Sequence, residues 1–318
     1  MVSVIVPNFN HHRFLKQRIE SILNQTYSDI ELIILDDKST DGSAEFIQSY
    51  AGNDKVKSIL INNENSGFPI KQWLKGISLA KGEYIWIAES DDYCSTFFLE
   101  KVINVIESSE LEIGMVYCQT IDVDENGHKL KDRIHYTSNF NPNLWECDFC
   151  MNGYEFLSVY LMHKNVIPNA SAVVFKKFLL DRVSDLEKLS EMRMAGDWFF
   201  WIKISQITNV AFVSDRLNYF RYHDAVTRNH SSKNKLLIRF KEEKVIRNYL
   251  SDNFMLNQSK EWNIMLNKWF EANDIFSVFS FSFYELKPIN VNVFLYVFNF
   301  INFLLKREVN RNKSLVLT

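Results

Sequence analysis

The sequence predicts an α/β fold in which a mostly parallel sheet is covered by helices. Two observations support this. Apolar, β-prone runs alternate with helix-periodic runs over the first ninety residues, and acidic residues follow two of the predicted strands. Such alternation is typical of βαβ units with strands buried on both faces. The 318 residues carry a formal net charge of −3 and are 47% hydrophobic, which fits a globular protein and does not suggest nucleic-acid binding.

The first half of the chain supplies most of the predicted parallel sheet. Each strand is short and apolar, and each predicted helix carries apolar residues at helical spacing. The predicted strands are Val2–Val6, which Pro7 should end, Glu31–Leu35, Val56–Ile61 and Tyr84–Ala88. The predicted helices are Phe14–Leu23, one that runs to about Tyr50 with N-cap chemistry from Ser39, Thr40 and Asp41, and Ile70–Ala80.

The second half is less regular. Lys129–Asn152 is rich in Asn and aromatic residues and is predicted to form acceptor-binding loops. The further predicted strands are Gly114–Ile121, Asn165–Phe175, Val210–Val213 and Leu217–Tyr222, and the further predicted helices are Phe97–Ile106, Gly153–Met162, Phe178–Leu189, one opening at Gly196, and Leu236–Leu250.

Three carboxylates follow the strand that ends at Ala88. Glu89, Asp91 and Asp92 fall within four residues, and like charges at one point are costly unless a cation or hydrogen-bond donors compensate them. Ligands of open α/β sheets bind at the carboxyl ends of strands, so a metal-bound substrate is expected here. From these residues alone, an acidic loop that only caps the next helix is an equally good interpretation.

Several common motifs are absent from the sequence. No G-x-G-x-x-G follows the first strand and no G-x-x-x-x-G-K-[ST] occurs, so a nucleotide would be held by carboxylates and a metal. Cys147 and Cys150 form one C-x-x-C, a weak zinc signal, and ordinary free thiols are the preferred interpretation. The chain shows no secretory signal, which predicts a cytoplasmic protein.

Short motifs follow one another in order over residues 1–230. They are 2–10 (V-S-V-I-V-P-N-F-N), 35–43 (L-D-D-K-S-T-D-G-S), 65–67 with 76 and 80–85, 89–92 (E-S-D-D), 196–198 (G-D-W) and 221–223 (R-Y-H). Together they resemble the blocks of family 2 glycosyltransferases, inverting enzymes of the GT-A fold. This resemblance implies a Rossmann-like, mostly parallel sheet flanked by helices over residues 1–230, and a helical, aromatic-rich C-terminal region over residues 231–318.

The resemblance also implies the reaction. The expected enzyme is metal-dependent and moves a sugar from a nucleotide-diphosphate sugar to the hydroxyl of a glycan or lipid-linked acceptor, in bacterial-type cell-surface polysaccharide biosynthesis. Asp197, in the first turn of its helix, is the expected catalytic base. Glu146 and Asp148 are alternative bases outside the matched motifs.

The expected cofactor is Mn²⁺ or Mg²⁺, which would neutralise the diphosphate leaving group and prefers oxygen ligands. By the resemblance, Asp37 would accept a hydrogen bond from the nucleobase of the donor, and Asp91 would lie near its ribose. The expected metal ligands are Asp92, Asp91, Glu89 and His223. The expected nucleotide-sugar contacts are Pro7, Asn8, Asn10, Asp36, Asp37, Asn65, Lys71 and Asp91.

This chain departs from the family pattern at several positions. Lys38 replaces a usual Gly, Glu89 stands where an Asp is common, and Gly196 replaces the Glu before the base. These departures leave open an alternative, a catalytically inactive homologue that binds a sugar nucleotide or glycan. A nucleotidyltransferase is a weaker alternative, because it would need a glycine-rich, basic phosphate loop that the sequence lacks.

The C-terminal region ends in an apolar helix, Ile289–Leu305, followed by Lys306 and Arg307. Asn292, Asn299 and Lys306 repeat every seven residues and form a narrow polar stripe. The Asn residues argue against a transmembrane segment. Two interpretations remain: an interfacial helix at the inner face of the membrane, or a helix packed on its own domain or in a homodimer.

Overall fold

The computed structural model describes residues 1–223, 232–289 and 291–316, with side chains described up to residue 307. By its internal contacts the chain forms two compact units, Met1–Val226 and Thr227–Thr318. The boundary predicted after residue 230 lies among residues 224–231, outside the described ranges.

A mixed sheet runs through the first unit. Its strands are β1 (Val2–Asn8), β2 (Ile30–Asp36), β3 (Val56–Ile61), β4 (Tyr84–Ile87), β5 (Tyr93–Cys94), β6 (Ile113–Val123), β7 (Lys129–Asp132), β8 (Phe149–Met151), β9 (Val173–Lys176) and β10 (Asn209–Arg221). They lie in the order β3-β2-β1-β4-β9-β6-β10-β5, with β7 beside β6 and β8 beside β10. Strands β3, β2, β1 and β4 are parallel to one another. Strand β9 is antiparallel to its neighbours β4 and β6, and β10 is parallel to β6.

Helices flank this sheet. In the first unit they are α1 (His12–Leu23), α2 (Ser43–Gln48), α3 (Pro69–Leu79), α4 (Phe98–Ser108), α5 (Gly153–Phe156), α6 (Leu186–Leu189) and α7 (Gly196–Ser205). The apolar stripes of α1 and α4 pack with the buried strand residues in one hydrophobic cluster that includes Ile19, Val102 and Trp86. The α/β fold class predicted from the alternating pattern is confirmed.

The second unit is helical and has a core of its own. Its helices are α8 (Lys233–Phe254), α9 (Ser259–Glu271), α10 (Phe281–Tyr284) and α11 (Val293–Val316). Trp269, Phe283, Tyr296 and Phe300 are fully buried together, and the Trp269 indole and the Tyr296 hydroxyl both donate to the Phe283 carbonyl at 3.1 Å. Among the described residues, no helix has both the length and the apolar character needed to cross a bilayer.

The prediction that Pro7 ends the first strand is wrong. Strand β1 continues through Pro7 to Asn8, which pairs with Asp36 of β2. On the other side of β1, pairing with β4 stops at Ile5. The ladder with β4 therefore needs no N–H at position 7, and a proline fits there.

Three other predicted elements differ from the structure. In place of one strand over Asn165–Phe175, a 3₁₀ turn at Ala170–Ala172 precedes β9. The predicted helix Phe178–Leu189 is split into a 3₁₀ helix and α6, because Asp185 adopts a left-handed conformation with φ of 60°. The two strands predicted within 210–222 are one strand, β10, with register shifts between Val213 and Asn218.

Ser39, Thr40 and Asp41 are predicted to supply the N-cap of a helix that runs to about Tyr50. In the structure this helix, α2, begins at Ser43 and its N-cap is Gly42. Ser39 is held in the preceding loop, where its backbone N–H donates to Asp36 Oδ1 at 2.8 Å. Lys38, in the same loop, has φ of 63°, a conformation that favours glycine. The Gly that is usual at this position in the resembling motif therefore has a physical reason, and Lys38 is strained.

We expect Lys38→Gly to raise the free energy of unfolding by about 0.5–1 kcal/mol, because relief of the left-handed strain exceeds the added entropy of the unfolded chain. Urea denaturation measures this. The matched control is Lys57→Gly in β3, which should lower the free energy of unfolding by about 0.5–1 kcal/mol. A less stable Lys38→Gly protein would mean that the bond from Lys38 Nζ to the Asn63 carbonyl, 2.5 Å long, outweighs the strain.

Candidate active site

Asp92 follows the end of β4, and both of its carboxylate oxygens accept hydrogen bonds from protein donors. Its Oδ2 accepts hydrogen bonds from Ser171 Oγ at 2.7 Å and Asn169 Nδ2 at 3.0 Å, and its Oδ1 accepts one from the Arg221 backbone N–H at 3.0 Å. Burial and, next, the neighbouring Asp91 raise the pKa of Asp92. Asp92 therefore ties the 3₁₀ turn before β9 and the end of β10 to the end of β4. Its expected role as a metal ligand stays a prediction that this bonding does not favour.

Asp91 faces two imidazoles. Its Oδ2 lies 3.1 Å from His223 Nε2. Burial opposes ionisation of Asp91, but His11 and His223 together hold its pKa below the ordinary value. In the part of the chain that the structure describes, the ligand atoms of His11, Asp91 and His223 all lie within 4.8 Å of one another, close enough to share a cation.

His11 is the member of this group that sequence reasoning missed. It lies between β1 and α1, its Nδ1 is 2.9 Å from Ser90 Oγ, and its ring meets that of His223 edge-on with centroids 5.2 Å apart. Burial lowers the pKa of His11, although the charge of Asp91 opposes this. A metal would bind the neutral imidazole. Its sequence signal was weak, because a single His in a loop rarely indicates a ligand.

Glu89 stands apart from this group. Its Oε1 accepts a hydrogen bond from the Trp73 indole at 2.8 Å. Burial and, next, the charge of Asp91 raise the pKa of Glu89 to about 8. Near neutral pH this carboxyl is therefore largely protonated in the absence of bound cations, unlike a ready metal ligand.

Arg18 is a second residue that sequence reasoning missed. Its side chain is fully buried in the middle of α1, its Nε donates to the Glu89 carbonyl at 2.8 Å, and its Nη2 lies 3.9 Å from Asp92 Oδ2. Within the described residues its two terminal nitrogens have no hydrogen-bond partner. Arg18 is therefore the buried cation that offsets the acids at the end of β4.

The acids at the end of β2 are held by local hydrogen bonds. Asp36 Oδ2 accepts from Asn8 Nδ2 at 2.7 Å and from the Ser39 hydroxyl. Asp37 accepts from Asn62 and Gln72 with Oδ1, and from the Ser66 hydroxyl with Oδ2. Both carboxylates are buried, so they fix the loops that line the carboxyl edge of the sheet.

The remaining nucleotide-site candidates lie in these loops. Asn10, with φ of 55°, accepts the Thr40 N–H at 2.8 Å. Asn65 is exposed and accepts the Gly67 N–H at 2.6 Å, and Lys71 is exposed with its ammonium 4.6 Å from the centre of the Phe68 ring. Pro7 lies at the end of β1. Their contacts with a nucleotide sugar stay predictions.

Asp197 lies in the first turn of α7, as predicted. Its Oδ2 accepts a hydrogen bond from Asn165 Nδ2 at 2.9 Å. Helix α7 packs on α3 through Trp201 and Phe200, whose rings lie 6.1 and 5.9 Å from that of Trp73. The same Trp73 donates to Glu89, so one indole connects the helix of the expected base to the acidic cluster.

Gly196 has a packing reason in this structure. A Cβ at this position would lie 2.8 Å from Ile70 Cγ1 and 3.2 Å from Met192 Cβ. Ile70 and Met192 thus occupy the space that the Glu usual in the family would need. Of the two alternative bases, Glu146 is exposed and Asp148 accepts hydrogen bonds from the backbone and hydroxyl of Ser214.

The comparisons with known proteins agree with this geometry. Residues 3–164 match the family model described as glycosyl transferase family 2. The chain belongs to glycosyltransferase family 2. This is the family that the motifs predicted, and its description names sugar-transferring enzymes. The matched residues contain both strand-end acid pairs and His11.

Relatives support the same assignment. An uncharacterised glycosyltransferase of Nostoc sp. is 28% identical over 73% of this chain and 67% of its own length. Glycosyltransferase GlyG of Streptococcus pneumoniae is 36% identical over 36% of this chain and 37% of its own length. The poly(ribitol-phosphate) β-N-acetylglucosaminyltransferase TarP of Staphylococcus aureus is 29% identical over 74% of this chain and 66% of its own length. This family 2 chain thus spans two thirds or less of these relatives.

Solved structures share the fold. The crystal structure of S. aureus TarS 1–349 matches with a TM-score of 0.55 at 18% identity, over 85% of this chain and 80% of that chain. The same fragment in complex with UDP-GlcNAc matches with a TM-score of 0.58 at 16% identity, over 85% and 81% of the two chains. The expected GT-A architecture of the family 2 enzyme is confirmed.

The raised pKa of Glu89 predicts a pH-dependent stability. An acid whose pKa is higher in the folded than in the unfolded state destabilises the fold as pH rises from its unfolded value to about 8. With metals removed by a chelator, we expect Glu89→Gln to gain stability relative to wild type between pH 5 and pH 8. Thermal melting across this interval measures it, with the exposed Glu64→Gln as control. A constant difference between Glu89→Gln and wild type would contradict the prediction.

Proposed function

We propose that this enzyme is an inverting, metal-dependent glycosyltransferase that moves a sugar from a nucleotide-diphosphate sugar to an acceptor hydroxyl. The observation that carries the proposal is the grouping of His11, Asp91 and His223 at the carboxyl edge of the sheet, with a carboxylate, Asp197, at the start of a helix that packs on the same region. Diphosphate binding needs a cationic centre and acceptor activation needs a base.

The donor set fits a divalent transition metal. Two imidazoles and one carboxylate would be its protein ligands, and His223 Nδ1 is buried without a hydrogen-bond partner among the described residues. Imidazole ligands favour transition metals over Mg²⁺, so Mn²⁺ is the better fit of the two expected ions. When bound, such an ion supplies a positive charge for the diphosphate leaving group.

The chain's own residues supply the remaining chemistry. Asp197 accepts the proton of the acceptor hydroxyl as that oxygen attacks the anomeric carbon from the side opposite the diphosphate, which inverts the configuration. The bond from Asn165 Nδ2 to Asp197 Oδ2 orients the carboxylate, and the position in the first turn of α7 stabilises its ionised form. The loops held by Asp36 and Asp37 would carry the nucleotide.

The substrates follow from the relatives. TarS 1–349 is described in complex with UDP-GlcNAc, and TarP is named for transfer to poly(ribitol phosphate), so UDP-linked sugars and polyol-phosphate or lipid-linked glycans are the first donors and acceptors to test. We propose cell-surface polysaccharide biosynthesis as its pathway on the same grounds, and the cytoplasmic location expected from the sequence stays a prediction. Stabilisation by a panel of sugar nucleotides, with and without Mn²⁺, identifies the donor.

The role of Asp197 predicts a split between binding and turnover. Asp197→Asn keeps the shape and removes the basicity, so turnover should fall by about 10²–10⁴-fold while donor affinity in calorimetry stays unchanged. Asp148→Asn is the matched control at an alternative base. Near-normal turnover in Asp197→Asn would refute the assignment, and loss of donor binding would make Asp197 structural. Wild-type protein that binds donor without turnover would support the inactive homologue.

The metal site predicts which residues bind Mn²⁺ directly. In calorimetry without donor, His11→Ala and Asp91→Asn should each weaken Mn²⁺ binding by more than about tenfold. The neighbouring His12→Ala is the matched control, because His12 Nδ1 lies 2.9 Å from the Asp41 carbonyl instead. Asp92→Asn should retain Mn²⁺ binding and lower the melting temperature, since it loses structural hydrogen bonds. Unchanged affinity in His11→Ala would remove it from the site.

A further inference from the structure

Helix α11 is apolar on two opposite faces. One face packs into the core of the second unit through Tyr296, Phe300 and Phe303, at positions i, i+4 and i+7. The opposite face carries a stripe at the same spacing. This exposed stripe consists of Phe294, Phe298, Ile301 and Leu305.

The exposed stripe is unusual for a protein surface. Phe294 is 88% exposed and Phe298 is 59% exposed. A helix needs only one apolar face to pack on its core, and contiguous exposed apolar patches usually mark a surface that binds a protein or a membrane. The second face of α11 is therefore a candidate contact surface.

A second exposed group lies on the connection between α9 and α10. Phe276 and Phe279 share one side of the 3₁₀ helix Ile275–Phe279, and Phe281, the first residue of α10, is 96% exposed. The neighbouring Phe283 is buried against Phe300 of α11, with ring centroids 4.8 Å apart. Both exposed groups are thus anchored on the same aromatic core.

The charges around the stripe indicate what it contacts. The stripe is followed at once by Lys306 and Arg307, both exposed, and residues 286–307 contain no Asp or Glu. Residues 227–318 hold 14 Lys and Arg against eight Asp and Glu, whereas the whole chain holds 36 against 39. Arg307 lies on the inner face and donates to the Glu271 carbonyl at 3.4 Å, so Lys306 is the cation at the border of the stripe. An apolar stripe with a cation at its border, in a unit with an excess of Lys and Arg, suits an anionic surface, whereas a second copy would bring like charges together.

We propose that the exposed stripe of α11 inserts into the headgroup region of an anionic lipid membrane, with Lys306 binding a lipid phosphate. The helix lies in the plane of the interface, its inner face on the core of its own unit. Asn292, Asn299 and Lys306 form the polar border between the two apolar faces. This surface would bring the enzyme to lipid-linked acceptors, but it does not depend on the proposed reaction.

Co-sedimentation of the full chain with vesicles tests the proposal. Wild-type protein should pellet with vesicles of phosphatidylcholine and phosphatidylglycerol at low salt, and less at high salt because the charges are screened. The double variant Phe294→Asn/Phe298→Asn should bind about 100-fold more weakly. The matched control is Phe97→Asn, which is 53% exposed in the first unit and should bind like wild type. Because these positions are exposed, the melting temperatures should stay close to that of wild type.

A charge variant tests the second half of the proposal. Lys306→Glu should weaken binding to the anionic vesicles at least about tenfold, whereas Lys57→Glu, exposed in β3, should not. Wild-type protein that stays in the supernatant at low salt would overturn the proposal. A second result would also overturn it. If wild-type protein does not bind vesicles and is a dimer by light scattering, and the Phe294→Asn/Phe298→Asn variant is a monomer, then a second copy covers the stripe.

Discussion

The burial of Asp92 among like charges at the end of β4 is the constraint on which the first unit depends. Removing a carboxylate from water costs several kcal/mol unless donors and an opposite charge compensate it. Arg18 supplies the charge from the middle of α1, and Asn169, Ser171 and the Arg221 backbone supply the donors. Replacement of any one of these groups would leave a buried charge without its counter-charge or a buried polar atom without its hydrogen bond. The positions of α1, the turn before β9 and the end of β10 therefore depend on one another.

This requirement explains where the chain departs from simple patterns. Ala170–Ala172 form a 3₁₀ turn, not a strand, because Asn169 Oδ1 accepts the Ser171 N–H at 2.8 Å at its N-cap. The side chains of Asn169 and Ser171 both donate to Asp92. Arg221 ends β10 beside the acids. Its guanidinium donates to the Glu125 carbonyl in the loop between β6 and β7 at 2.8 Å, and to Gln17 Oε1 of α1 at 2.6 Å. His223 follows two residues later and reaches Asp91. Because Arg221 is fixed at the end of β10 by its bond to Asp92, His223 is placed beside Asp91 as a candidate ligand.

Sequence reasoning predicted the parts of this unit that depend on local pattern. The alternation of apolar runs gave the α/β class, and the motif order gave the family, because both are encoded in neighbouring residues. The partners of the acids could not be predicted in the same way, since Arg18 lies 71 residues from Glu89 and Asn169 lies 77 from Asp92. His11 and Arg18 looked like ordinary surface residues of a loop and a helix. Pro7 misled because its effect depends on which neighbouring strand is paired beyond Ile5, and only the sheet register decides that.

The acidic motif 89–92 separates into three carboxylates with different physical states. Asp92 is saturated by protein donors, Glu89 is kept largely protonated by burial and by Asp91, and Asp91 is kept ionised beside two imidazoles. Neighbouring carboxylates disfavour one another's ionisation. Because Glu89 is protonated, it does not repel the negative charge of Asp91. The Trp73 indole holds Glu89 in place from α3, the helix on which α7 packs. The Glu that replaces the common Asp thus has a structural role, because its side chain accepts the indole hydrogen bond. With Asp92 offset by Arg18, the carboxylate of the motif that faces the two candidate histidine ligands is Asp91.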